Sequence, residues 1–147
     1  LPHDVLISNG LATMAFALPA AVAAAIHDPE RGAVAMTGDG GLMMCMGELV
    51  TAAQQNANLT VIVFNDGALS LIDIKRQEIQ LPDLGFTWNR PDFATAAKGL
   101  GLDAWRVGSM DELMSALVSA ADNKGASLID VVLDPDGYLE QMRALRG

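Results

Sequence analysis

Two short polar triplets carry the side chains best suited to chemistry: Gly38-Asp39-Gly40 and Asn65-Asp66-Gly67, with Asn65 standing 26 residues after Asp39. A carboxylate and an amide oxygen are hard donors, and a backbone carbonyl in the Asn65-Asp66-Gly67 turn could add a third. Such a set suits Mg²⁺, which favours octahedral oxygen coordination and fills its remaining positions with water or phosphate oxygens. Gly40 and Gly41 permit a close backbone approach. A helix opening at that point would present free N–H groups and the positive end of its dipole to an anion. Basic side chains are scarce here, Arg31 being the only Lys or Arg before Lys75, so phosphate charge would have to be met by metal and backbone. The competing reading of Asp39 and Asn65 is that both are turn residues whose side chains satisfy their own loops.

The elements that must position these residues are legible on either side of them. Ala33-Val34-Ala35-Met36 precedes the first triplet and Val61-Ile62-Val63-Phe64 the second, each short, apolar and bounded by turn residues, as buried parallel strands are. Gly47 to Asn56 reads as a helix between them. Strand, helix, strand is a crossover that returns a parallel strand to the same sheet. If the two strands are neighbours, their ends lie about 5 Å apart, and Asp39 and Asn65 can share one ligand. Common nucleotide fingerprints are absent: there is no GxxxxGK[ST] run, and a GxGxxG starting at Gly38 fails at Met43.

The GDG triplet followed by this spaced Asn resembles the thiamine-diphosphate motif of the acetolactate synthase and pyruvate decarboxylase superfamily. A second stretch, Ser8-Asn9-Gly10-Leu11-Ala12-Thr13-Met14-Ala15-Phe16-Ala17-Leu18-Pro19-Ala20-Ala21, resembles the Gly-Gly-Leu-Gly-Thr-Met-Gly-Phe-Gly-Leu-Pro-Ala-Ala signature that precedes GDG in the same superfamily. The resemblance implies a C-terminal cofactor domain binding thiamine diphosphate and Mg²⁺. Asp39, Asn65 and the Gly67 carbonyl would hold the metal, and Gly38, Gly40 and Gly41 would lie at the diphosphate. The Ala12 carbonyl and the Met14 N–H would meet the aminopyrimidine, with Met14 as a wedge beneath the bend between the two rings. An ordinary core methionine is the alternative for Met14. The chain departs from the signature in carrying Ala12, Ala15 and Ala17 where glycine is common, and their methyls are expected to stiffen a helix.

What the resemblance implies for activity is less uniform. Pyruvate decarboxylases have a glutamate six residues after the metal-binding Asn, and Leu71 stands there; acetohydroxyacid synthases have a tryptophan nine residues after it, and Ile74 stands there. Leu69, Leu71 and Ile72 suggest an apolar wall to a substrate pocket, with plain helix packing as the alternative. The resemblance implies a 2-oxo acid substrate, decarboxylated or ligated. It also implies a pyrimidine-binding domain, on the same or another subunit, carrying the activating glutamate. No catalytic residue is therefore expected in this chain, which is expected to be inactive alone, as a fragment of a larger enzyme or one subunit of a split one. A homodimer or homotetramer is expected, and FAD elsewhere in the parent protein stays open. The alternative from another class is a non-catalytic binding or assembly domain, against which the intact Asp39 and Asn65 weigh.

The remaining sequence frames that reading. The 147 residues are 51% hydrophobic with a net charge of −9, enough for one α/β domain with a core and without the basic footprint of a nucleic-acid or anionic-membrane partner. Leu11 to Ile26 is apolar but falls short of the roughly 20 residues of a membrane span, and no signal peptide is visible, so a cytoplasmic protein is expected. The single Cys45 reads as a small buried residue, and His3, His27 and Glu48 are assigned no function, the latter two matching the dipole at a helix end and a helix start. Further expectations are a strand over Val5 to Ser8, a turn at Asn9-Gly10, a helix over Ala12 to His27 and a polar turn over Asp28 to Gly32. An amphipathic helix is expected over Ala68 to Gln80. The loop from Leu81 to Arg90 would follow, with Phe86 and Trp88 either lid residues or anchors. Pro91 to Leu100 reads as a helix, Ala104 to Val107 as a strand, Ser109 to Glu112 as a capping box, Ser127 to Leu133 as a strand and Leu139 to Leu145 as a helix. The fold class expected is a three-layer α/β/α domain, its mostly parallel sheet covered by helices on both faces.

Overall fold

The computed structural model describes residues 5–83 and 85–146. His3 and, within the expected loop, Leu84 lie outside the described residues. Four strands form one sheet: β1 (Ala33–Gly38), β2 (Leu59–Asn65), β3 (Asp103–Val107) and β4 (Ala126–Val132), in the order β1-β2-β4-β3 and parallel throughout. β4 lies between two strands and is buried on both faces, so Ala126 to Val131 are all buried, Ser127 and Asp130 included. β2 keeps a period of two, with Leu59, Val61, Val63 and Asn65 buried and Thr60, Ile62 and Phe64 half-buried on the other face.

Helices α1 (Ala17–His27), α3 (Glu48–Gln54) and α5 (Phe93–Gly99) pack against one face. On α1 the buried positions are Leu18, Ala21, Val22 and Ala25, the i, i+3, i+4, i+7 stripe of a helix facing a core. They meet Val61, Val63, Leu128 and Phe93. The other face carries α6 (Met110–Asp122), whose Ala116 and Ala120 pack on Ile129 and Val131. Both faces are therefore covered, as expected, but unevenly: α6 lies on β3 and β4, and the outer face of β1 is open, with Val34 63% and Met36 60% exposed.

Several expected boundaries are corrected. Val5 to Ser8 forms no strand, because the run pairs with nothing, and β propensity without a ladder does not hold an isolated strand. The first helix begins at Ala17 rather than Ala12: Ala12 and Ala15 both have positive φ, and Pro19 falls in the first turn, where its missing N–H costs nothing. An unforeseen short helix, α2 (Asp39–Met43), opens directly at the GDG triplet, and α3 is correspondingly shorter than the expected Gly47 to Asn56 helix. Helix α4 (Ser70–Glu78) starts two residues later than expected, because Asp66 holds the preceding turn by accepting from the Ala68 N–H at 3.1 Å and the Ser70 hydroxyl at 2.7 Å. α7 (Tyr138–Arg146) ends the described chain. At α6 the Ser109 hydroxyl accepts from the Glu112 N–H at 3.3 Å, while the Glu112 carboxylate reaches one residue further back than a capping box predicts, to the Gly108 N–H at 2.8 Å.

Candidate functional site

β1 and β2 are neighbours, and their register pairs Gly38 with Phe64, so Asp39 and Asn65 follow at adjacent strand tips. Asp39 is the first residue of α2 and only 3% exposed. Its Oδ1 accepts from the Gly40 N–H at 2.7 Å and its Oδ2 from the Gly67 N–H at 2.9 Å, so one carboxylate ties the two triplets together. Burial raises its pKa above the usual carboxylate range; the Gly40 and Gly67 bonds oppose that, and the charge of Asp66 adds to it. The Trp88 indole N–H lies near the same carboxylate without closing a hydrogen bond.

Asn65 is fully buried. Its Nδ2 donates to the Pro91 carbonyl at 2.9 Å and to Asp130 Oδ1 at 2.8 Å, while its Oδ1 is buried without any donor. An unpartnered buried acceptor is costly and uncommon in native proteins. With the desolvated Asp39 carboxylate on the neighbouring strand tip, it leaves an oxygen lone pair open to a ligand. Among the described residues no three His, Cys, Asp or Glu side chains gather as a metal cluster, so any ion here would rest on one carboxylate, one amide oxygen, backbone and external oxygens. That donor set fits Mg²⁺ bound together with a diphosphate.

The glycines are placed for close approach. A Cβ on Gly40 would stand 2.7 Å from Leu69 Cδ2 and 3.4 Å from Met14 Cε, and one on Gly41 would meet Thr37 Oγ1 at 2.7 Å and the Ala15 nitrogen at 3.7 Å. The segment around Met14 is thereby packed on the GDG turn. Gly38 has room, with nothing nearer than 3.9 Å, so packing within the chain does not require glycine there. Gly67 has φ of +78°, a conformation glycine adopts freely, and its carbonyl already accepts from the Trp88 N–H at 2.9 Å, leaving one lone pair for another partner. The Ala12 carbonyl and the Met14 N–H are without partners among the described residues, on exposed residues.

An open cleft of about 1600 Å³ runs along β1 and β2 from Arg31 and Asn58 at the strand starts to the GDG turn, lined at the latter end by Ala12, Met14, Asp39, Gly40, Leu69 and Ile72 among others. Gly38, Gly41 and Leu71 line it as well, whereas the buried Asn65 and Gly67 do not. The loop with Phe86 and Trp88 is an anchor here rather than a raised lid. Thr87 bridges Ala68, the Leu69 N–H donates to the Phe86 carbonyl at 2.8 Å, and Trp88 is fastened to Gly67.

Arg90, Tyr138 and Asp130, near the site, carry no expectation from the sequence, and Trp88 carries only that of a lid or an anchor. Trp88 and Arg90 belong to that anchoring loop, and Arg90 Nη2 donates to the Asp66 carbonyl at 3.4 Å, bringing a cation to a turn expected to have none. Tyr138, on α7, has its pKa raised by burial and then by the charges of Asp66 and Asp39. Asp130 left one signal, a lone carboxylate inside an apolar strand.

Similarity to known proteins defines the class. Residues 1–131 match the family of thiamine pyrophosphate enzymes, C-terminal TPP binding domain, and the chain belongs to it. Among similar proteins, acetolactate synthase isozyme 1 large subunit of Escherichia coli strain K12 is 32% identical over 138 residues, covering 92% of this chain and 24% of that protein. The catabolic acetolactate synthase of Raoultella terrigena is 32% identical over 132 residues, covering 90% and 24%. A thiamine diphosphate-dependent 4-hydroxybenzoylformate decarboxylase of Rhodococcus jostii RHA1 superposes with a TM-score of 0.77 at 26% identity, covering 82% of this chain and 23% of that one. The chain thus spans about a quarter of the length of these relatives.

Proposed function

We propose that this chain is the diphosphate-binding part of a thiamine-diphosphate- and Mg²⁺-dependent enzyme that decarboxylates a 2-oxo acid, ligates its product to a second carbonyl compound, or does both. The observation that carries the reading is the buried, donorless Oδ1 of Asn65 beside the desolvated carboxylate of Asp39, on neighbouring strand tips. Asp39, Asn65 and the free lone pair of the Gly67 carbonyl would hold Mg²⁺. Gly38, Gly40 and Gly41 would bring the backbone against the diphosphate, and the Ala12 carbonyl and Met14 N–H would engage the aminopyrimidine. When bound, thiamine diphosphate supplies the centre that stabilises a carbanion next to a carbonyl. The chain's own work is binding and shape. Met14 and Leu69 crowd Gly40 from the cleft side, and Leu69, Leu71 and Ile72 offer an apolar wall with no proton donor.

Acid–base groups would come from elsewhere. The activating glutamate belongs, on this reading, to a pyrimidine-binding domain of the same or another subunit, in a cytoplasmic homodimer or homotetramer, so the chain alone is inactive. Among the described residues no helix is long and apolar enough to cross a membrane. Calorimetric titration of thiamine diphosphate into the chain supplemented with its pyrimidine-binding partner tests the reading. Binding is expected to require Mg²⁺ and to vanish in Asp39→Ala. Metal-independent binding, or unchanged affinity in that variant, overturns it, and turnover of a 2-oxo acid by the chain alone removes the two-domain division of labour.

A further inference from the structure

An amide side chain has two ends of nearly equal size, and only its neighbours decide which one faces a ligand. Around Asn65 the inner neighbours are both acceptors, the Pro91 carbonyl and the Asp130 carboxylate, and together they take both hydrogens of Nδ2. Turning the amide over would set its oxygen against a carbonyl and a carboxylate and leave an NH₂ where the donorless oxygen now stands. Asp130 is itself held firmly. It is fully buried at the centre of β4, in register with Val63 of β2 and Arg106 of β3. Its Oδ2 accepts from the Phe93 N–H at the start of α5 at 3.1 Å and lies 3.8 Å from Arg106 Nε. A charge in an apolar strand is expensive unless paired and hydrogen-bonded, and here each of its oxygens has a partner.

We propose that Asp130 is the positioning residue that turns the Asn65 amide oxygen toward the metal side of the site, acting through the Nδ2 it binds. The proposal rests on the reading of Asp39 and Asn65 as metal ligands. It assigns the function of the site's orientation to a residue that touches neither metal nor cofactor. The neutral variant Asp130→Asn keeps the size but has only one oxygen. Either Asn65 Nδ2 or the Phe93 N–H must then face another NH₂, and the cheapest relief is for Asn65 to turn over.

Two measurements test this on the full chain with its pyrimidine-binding partner. By NMR, the side-chain amide protons of Asn65, identified by their loss in Asn65→Ala, are expected to exchange on the order of tenfold or more slowly compared with those of exposed Asn89. In Asp130→Asn that protection is expected to disappear. In Mn²⁺ titrations followed by EPR with thiamine diphosphate present, Asp130→Asn is expected to bind roughly 10- to 100-fold more weakly, the usual cost of losing a ligand's orienting partner.

A purely structural Asp130 would lower the melting temperature while leaving both the Asn65 exchange rate and the Mn²⁺ affinity of the folded protein unchanged, and that result overturns the proposal. Loss of protection with unchanged Mn²⁺ affinity overturns it too. If Asp130→Asn fails to fold, the wild-type exchange rate decides, and exchange as fast as that of Asn89 sinks the idea. Asp39→Asn separates the two readings. It should lose Mn²⁺ and keep the Asn65 protection, whereas absence of Mn²⁺ binding in the wild type removes the metal reading and leaves the amide orientation to be judged by exchange alone.

Discussion

The tips of β1 and β2 and the helix starts of α5 and α6 both place carboxylates against backbone N–H groups, yet with opposite results. At α5, Asp92 accepts from the Thr95 N–H at 2.8 Å, and that bond holds its pKa below the ordinary range; at α6 the bond from Gly108 does the same for Glu112. Asp39 accepts two backbone N–H bonds, and its pKa is nevertheless raised, because burial outweighs them. Hydrogen-bond number therefore does not decide the sign; access to water does. Backbone strain divides the same way. Asn56 and Gln80 have positive φ just beyond α3 and α4, where a left-handed residue ordinarily closes a helix, whereas Ala12 and Ala15 have positive φ with no helix end to explain it. One region is built for stability, the other is held in a costly state by the first.

The largest expected effect lies at the costly end. Asp39→Asn should reduce Mg²⁺-dependent binding of thiamine diphosphate by on the order of 100-fold or more, a loss of about 2.7 kcal/mol or greater, measured by calorimetry with the partner domain present. In the metal-free chain the same substitution sets an NH₂ against the Gly40 or Gly67 N–H and so costs a hydrogen bond at every pH, but it also removes the pH dependence that the carboxylate contributes. The sign follows from linkage: a carboxylate with a raised folded pKa gives stability that is present below its unfolded pKa and lost as pH rises through the folded value. Asp92 and Glu112, with lowered values, act in reverse, and their contribution is lost as pH falls through the folded values. Urea midpoints between roughly pH 3 and pH 7, taken in chelator, should therefore show a smaller decline toward neutral pH in Asp39→Asn than in the wild type. An identical pH profile would break the contrast between the two regions.

Next in size is the support the scaffold gives. Phe93 is 2% exposed in the main core, at the start of α5, with its N–H on Asp130. Phe93→Ala should cost about 3–5 kcal/mol in urea unfolding, as large-to-small core substitutions do. A loss under about 1 kcal/mol, within reach of an ordinary surface change, would mean that α5 is not what pins the β2 and β4 tips.

Much of this was legible in sequence, and the limits have physical causes. The strands before each triplet were readable because buried parallel strands are short apolar runs, and their place in one parallel sheet followed from the strand, helix, strand pattern; that they are neighbours stood as a condition, which the β1–β2 register meets. The Ala12 to Phe16 stretch reads as helix because alanine favours it; there the chain instead packs Ala15 against Gly41 and takes positive φ at Ala12 and Ala15, which no propensity encodes. Val5 to Ile7 has strand composition and no ladder partner. Asp130 has no place in the sequence reading of the site, and Trp88 stands there only as a lid or anchor, because both reach it through long-range contacts, to Asn65 across 65 positions and to Gly67 across 21, and periodicity describes only local order.

The smallest effect sharpens the comparison from the other side. Ala15 has φ of +66° and its nitrogen stands 3.7 Å from where a Cβ on Gly41 would be, so the left-handed turn is what brings this segment onto the GDG turn. A left-handed alanine costs roughly 1–2 kcal/mol, and glycine removes that cost while adding about 0.5–1 kcal/mol of unfolded-state entropy. Ala15→Gly should therefore raise stability by about 0.5–1 kcal/mol, visible as a small upward shift of the melting temperature, without altering Mg²⁺-dependent cofactor binding. The same substitution at a helix position such as Ala21, which is buried in α1, should destabilise instead by at least about 1 kcal/mol. If both glycine variants destabilise equally, Ala15 is not in a strained conformation, and the turn over the GDG loop is held by something other than its backbone geometry.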